Sequence, residues 1–394
     1  MHRGASIAVV VLVAASGAWG QDCTVETSQP APENPAVETY VAYLPASPSP
    51  EGPLTSAGTI TTNLGAFSIQ INAGAGLSAN PPAVAAFQRA AAQWEQRISD
   101  PITVTVDADL ADLGSTTIIG QATTVLLTGP YDVIRDPMVA DAADEPDDGI
   151  VASVPSAATF SASLPTGFSF NGNLIAAKST LKAMGFTGLD TQFGARDSTI
   201  TFNTGFAFDY DNSDGVTPGT MDFETVAAHE LGHALGFISA VDVIDYYVDQ
   251  GATAEIAPYV LDLFRFENDG TADPQTSAEF EAYPRSLVPN NDEVTDFVQT
   301  VWSELTTAEY RMSTGAYTGD GRQASHWKDN NLTGEILGIM DPTLAYGQIN
   351  TVSAVDLRAL DVIGYEIVPE PATALLVGVG LVGLLARRRR QRPA

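Results

Sequence analysis

The segment AAHELGHALGFISAVD, residues 227–242, constrains this chain more than any other stretch. His229 and His233 stand four residues apart, a spacing that puts both imidazoles on one face of a helix, about one turn from each other. Asp222 is the predicted cap of that helix, because a carboxylate there can accept from the free amides of the first turn. Gly236 is its predicted end, in a left-handed turn. Glu230 lies between the histidines, and this order of residue types suits a zinc site with a general base beside it. Such a site needs one more protein ligand and leaves one position open for water. Ten residues after His229 stands Ser239, a neutral hydroxyl and a poor zinc ligand. The bland alternative, a helix with two core histidines, would bury the Glu230 carboxylate at a cost on the order of several kcal/mol.

Both ends of the chain carry apolar segments. MHRGASIAVVVLVAASGAWG, residues 1–20, has Arg3 ahead of an apolar run and small residues at its end, which predicts a secretory signal peptide cut near Gly20. At the other end, Val368, Pro369, Glu370 and Pro371 precede an apolar run over 372–386 and the cluster Arg387, Arg388, Arg389, Arg390 and Arg392. Such a run spans roughly 22 Å at about 1.5 Å per residue, short for a permanent membrane helix. It predicts transient membrane association with the arginines on the cytoplasmic side. The three parts together resemble the PEP-CTERM sorting signal of Gram-negative bacteria. That resemblance implies an exosortase-type enzyme as partner and an exported protein, transiently held at the inner membrane and destined for the surface or biofilm matrix.

Residues 21–370 hold 12 Lys and Arg against all 48 Asp and Glu, a formal charge of −36. So acidic a surface disfavours nucleic acid and anionic membranes as partners. Cys23 is the single cysteine, so no intramolecular disulfide forms and stability must come from the core, a metal, or both. It reads as a surplus thiol in a flexible tail, the sharper alternative being a thiol that blocks a zinc site from a propeptide. Residues 21–65 are rich in Pro, Ser, Thr and Glu and predict a linker or short propeptide. Strands are expected over 67–73, 102–110 and 198–208, and helices from Pro81 through Ile98, over 173–184 and over 353–363.

For the third ligand the candidates are Asp242, Asp245 and His326. The last stands in ASHWKDNNLTGEILGIMDPTL, residues 324–344, beside Trp327 and fourteen residues before Met340. HELGHALGF, then a distant SHW, then GEILGIM, resemble metzincin-type zinc peptidases, most of all the leishmanolysin-like branch. AFQRAAAQWEQRISDPITV, LDLFRF and DLRALDVIGY resemble the bacterial exported group with PEP-CTERM tails. The resemblance covers residues 66–367. It implies a zincin-like α+β fold, with a twisted sheet and helices in an upper lobe and a loop-rich lower lobe with a methionine turn. It also implies Zn2+ held by His229, His233 and His326, Glu230 as catalytic base, and Met340 in the hydrophobic turn beneath the metal.

The expected function is zinc-dependent hydrolysis of extracellular protein or peptide substrates. The rival expectations are a non-catalytic biofilm surface protein that keeps the fold, and a zinc amidase acting on peptidoglycan. Tyr346 is a candidate oxyanion donor whose simpler reading is a buried structural tyrosine. Ca2+ is a candidate at two acidic loops, around Asp209, Asp211 and Asp214 and around Asp141, Asp144, Asp147 and Asp148, although neither has EF-hand spacing. Asn331 matches a glycosylation acceptor that a bacterial host would leave unused.

Overall fold

The computed structural model describes residues 21–25, 41–43, 67–144, 149–267, 274, 276–289, 297–299 and 310–368. The predicted signal peptide and the C-terminal tail beyond Val368 lie outside these, as do Asp147 and Asp148. The fold is mixed α and β. In chain order the elements that matter are β1 (Gln21–Val25), β2 (Val41–Tyr43), β3 (Ser68–Ala73), α1 (Pro81–Glu95), β4 (Thr103–Ala111), β5 (Ile118–Thr124), β6 (Leu126–Pro130), β7 (Asn173–Ala177), α2 (Lys178–Ala183), β8 (Ser198–Asn203), α3 (Phe223–Ala234), α4 (Val241–Asp249), β9 (Thr343–Leu344) and α5 (Ala354–Asp361).

Six strands form the main sheet in the order β9-β1-β5-β8-β4-β3. β3, β4 and β8 run parallel, β5 runs antiparallel to β8, and β1 runs antiparallel to β5 and parallel to β9. β2, β6 and β7 make a separate three-stranded sheet. Among the described residues no helix is long and apolar enough to cross a membrane.

α1 begins where expected, with prolines in its first turn and the Asn80 side chain accepting from the Ala83 amide at 3.3 Å. Its face of Phe87, Ala91 and Trp94 is buried, and Ile98 is buried just beyond its end. Trp94 Nε1 donates to the Ala228 carbonyl at 3.0 Å, which ties α1 to α3. α3 itself is buried along its whole length apart from Glu224, wedged between α1 and β5. A helix enclosed on all sides needs its ends satisfied internally. Asp222 accepts from the Thr225 amide at 3.0 Å, and at the other end the Phe237 amide donates to the Gly232 carbonyl at 3.0 Å while Gly236 takes φ +110°. The helix therefore starts and stops at the predicted residues.

Four expectations change. Residues 173–184 are not one helix: Asn173–Ala177 pairs antiparallel with β6, and only Lys178–Ala183 is helical. An apolar run as short as NLIAA fits a buried strand as well as a helix, and the waiting partner strand decides it. The predicted strand over 198–208 stops at Asn203, whose side chain donates to the Ser115 and Ile118 carbonyls at 2.9 and 2.7 Å and accepts from the Gly205 amide at 2.9 Å, turning the chain away. The stretch between Gly236 and Ser353 reads in sequence as less regular, yet it opens with α4. Cys23 lies in a paired strand rather than a flexible tail.

Candidate metal centre

α3 carries His229 and His233 on the face predicted, and the chain returns 93 residues after His233 to place His326 beside them. The three Nε2 atoms form a near-equilateral triangle: 3.1 Å from His229 to His326, 3.1 Å from His233 to His229, and 3.2 Å from His233 to His326. All three residues are buried, and their ligand atoms form a group able to hold a metal ion. Tetrahedral nitrogen ligands at about 2.0–2.1 Å from zinc stand about 3.3–3.4 Å apart, close to the observed edges.

The other ring nitrogens give this triangle its meaning. His229 Nδ1 meets the Ile339 carbonyl at 2.8 Å, His233 Nδ1 meets the Phe237 carbonyl at 2.8 Å, and His326 Nδ1 meets the Gln323 carbonyl at 3.2 Å. A carbonyl oxygen only accepts, so each Nδ1 must carry the hydrogen and donate it. Burial lowers the His229 pKa to about 4 and, with the neighbouring imidazoles, pushes His233 well below its ordinary value. In neutral rings that donate through Nδ1, each Nε2 presents a lone pair. Lone pairs converging on one point suit a shared cation, and carbonyls at the far ring nitrogens orient such ligands.

Glu230 is buried next to this group without belonging to it. A methyl group placed on Gly120 of β5 would come within 2.8 Å of Glu230 Oε1, which locates the carboxylate against the middle of that strand. Met340 is buried, and its sulfur lies against Gly232 of α3, where a side chain could not fit.

The rival ligands do other things. Asp242 accepts from the Ala324 amide at 2.5 Å, the Ser325 amide at 3.1 Å and the Ser325 hydroxyl, and so grips the two residues ahead of His326. Asp245 accepts from the Tyr317 and Thr318 amides at 2.7 and 2.8 Å. Ser239 donates through Oγ to Asp262 at 2.6 Å, while its amide donates to Ser325 Oγ at 2.8 Å, which joins the start of α4 to the same segment. Asp356 is a supporting residue that sequence reasoning missed. Its carboxylate accepts from Trp327 Nε1 at 2.7 Å and from the Ile339 and Met340 amides at 2.8 and 3.3 Å. Ser353 and Asp356 also form a capping box at α5, the one part of this role a sequence could signal.

Residues 368–390 match the PEP-CTERM protein-sorting motif. That motif marks an exported protein processed at the membrane and is a recognition signal for exosortase. No curated protein and no solved structure matches the chain.

Tyr346 is 54% exposed and so is not the buried structural tyrosine expected. In the loop after β8, Asp209 accepts from the Asp211 and Thr217 amides at 2.9 and 2.7 Å, spending its oxygens on the turn. Among the described residues neither acidic loop brings three carboxylates together as the histidines are.

Beside Met340, Asp329 and Asp341 are both buried, and burial with the nearby Asp329 carboxylate pushes Asp341 from 3.8 up to about 7. A folded-state pKa raised above the unfolded one stabilises the fold at low pH, and that stability is lost as pH rises through the folded value. Asp341→Asn is therefore expected to flatten the loss of stability between about pH 4 and 7, an effect of up to about 4 kcal/mol for a rise of this size. Urea unfolding at pH 5 and pH 8 checks it: the wild type loses more stability than the variant over this interval, and equal losses refute the assignment.

Proposed function

We propose that this protein is a zinc-dependent endopeptidase acting on protein outside the cell, with a zincin-like arrangement of sheet, motif helix and methionine turn. The observation that carries the reading is the triangle of Nε2 lone pairs, each fixed by a carbonyl behind it. Three neutral nitrogen donors suit zinc, and a set of three leaves a position open for chemistry. Bound there, the ion would act as a Lewis acid toward the scissile carbonyl and the attacking water.

The chain's own groups do the rest. A Glu230 carboxylate oxygen takes a proton from the attacking water and passes it to the leaving amine nitrogen, as general acid–base catalysis requires. Burial beside β5 keeps that carboxylate in one place. Asp242, Ser239 and Ser325 hold the His326 segment against α4, and Asp356 holds the turn whose Ile339 carbonyl orients His229.

Elemental analysis and casein hydrolysis test the reading on residues 21–370. The expected result is about one zinc per chain and hydrolysis that a chelator removes. Folded protein with no metal overturns it. So does metal-loaded protein that stays inert on casein, an outcome that would leave the non-catalytic surface protein or the amidase.

A further inference from the structure

Arg285 is fully buried, in the short strand Arg285–Ser286 that pairs parallel with Ala162–Ser163. Two carbonyls take part of its guanidinium: Nε donates to Leu263 at 2.7 Å and Nη1 donates to Tyr283 at 2.6 Å. The ring centroids of Phe266 and Phe280 each lie 4.6 Å from its central carbon. Nη2 is enclosed with no acceptor, and no Asp or Glu among the described residues pairs with this arginine, in a chain that carries 48 of them. Burial lowers the Arg285 pKa to about 9, so the side chain keeps its charge at neutral pH. Carbonyls and ring faces are neutral partners, and a buried charge without a counter-charge is costly.

A second buried donor stands in the same neighbourhood. Tyr131 opens the helix Tyr131–Asp141, is fully buried, and its hydroxyl has no partner. Its ring packs against Phe160 with centroids 5.0 Å apart, and one residue further on the Ser161 carbonyl accepts from the Arg285 amide at 2.9 Å. Of the charges that act on Tyr131, Arg285 leads and Arg135 follows, both ahead of Asp132, so the hydroxyl sits in a positive field. Two enclosed donors in such a field suit an anion; a water could accept from them but would leave the charge uncompensated. We propose that Arg285 Nη2 and the Tyr131 hydroxyl donate to one buried monovalent anion of chloride size, which ties the Tyr131–Asp141 helix to the Arg285–Ser286 strand. Phe160 and Phe170 flank Tyr131 as Phe266 and Phe280 flank Arg285, and these apolar rings offer no further donors to a larger, more strongly hydrated anion. The site stands apart from the histidine triangle and does not rest on the peptidase reading.

Thermal unfolding of the exported chain in sodium chloride and in sodium gluconate, at equal ionic strength, tests the proposal. An ion bound to the folded state alone raises the melting temperature with its concentration, so chloride is expected to give a midpoint at least about 2 °C higher than gluconate, which is too large to be enclosed. Tyr131→Phe removes the hydroxyl and little else. It is expected to raise the chloride concentration that gives half the stabilisation by about 10-fold, as loss of a hydrogen bond to a charged group should. Arg285→Met is expected to abolish the preference for chloride altogether. Should that variant fail to fold, Tyr131→Phe and a bromide soak carry the test: the anomalous signal of bromide is expected beside Arg285 Nη2. Equal midpoints in the two salts overturn the proposal, and so does a chloride preference that Tyr131→Phe leaves unchanged. A carboxylate of this chain found against Nη2 in crystals, in place of bromide, overturns it as well. Adding a chelator is expected to leave the chloride dependence as it was, which keeps this result separate from that of the metal centre.

Discussion

His326→Ala is expected to lose the bound metal and much of the stability the metal confers. The imidazole closes the triangle from a distant part of the chain, so ion binding joins residues 93 positions apart and contributes to folding as well as to chemistry. Supporting groups around a metal site are typically worth roughly 10–100-fold in affinity, and removing a ligand should exceed that range. Asp242→Ala provides the internal comparison. Asp242 grips the Ala324 and Ser325 amides without pointing at the triangle, so its loss should fall within the supporting range. Zinc titration of the two variants, with thermal unfolding in zinc and in chelator, gives the measurement. If the His326 variant keeps wild-type affinity while the Asp242 variant loses its metal, the ligand assignment is wrong.

Glu230→Gln is expected to keep the metal and the fold while lowering turnover by at least about 100-fold. The amide preserves the shape of a fully buried side chain lying against Gly120, so packing changes little. What it lacks is an oxygen basic enough to take a proton from the attacking water. The decisive pattern is metal content and melting temperature near wild type together with a collapse in kcat on casein or a peptide. Undiminished kcat in a metal-loaded variant would assign the base elsewhere, and lost metal would show that the carboxylate supports the ion instead.

Much of the candidate site was legible because its first half is local. The i, i+4 histidines, the Asp222 cap and the Gly236 stop all follow from one helix, and a helix reads out of a dozen consecutive residues. The export signal at the C-terminus is equally local, since composition and order along one short stretch define it. α1 was legible for the same reason, with Pro81 and Pro82 at its start and Trp94 on its buried face.

What lay beyond reach depended on partners far away in sequence. Residues 173–177 carry an apolar run that fits either period, and pairing with β6 made them a strand. Asp242 read as a candidate ligand and Asp356 as an ordinary helix carboxylate until the fold brought backbone amides to them, across 82 and 17 residues. By itself the sequence determined the motif helix, its two imidazoles, the carboxylate between them and the absence of a disulfide. Only the tertiary structure decided that the third imidazole meets them and that each ring turns its Nε2 inward. It also decided that Gln21–Val25 lies between β5 and β9. The physical reason is that helix periodicity and capping act over one or two turns of chain, whereas ring orientation and strand pairing are set by carbonyls and amides that only folding brings into contact.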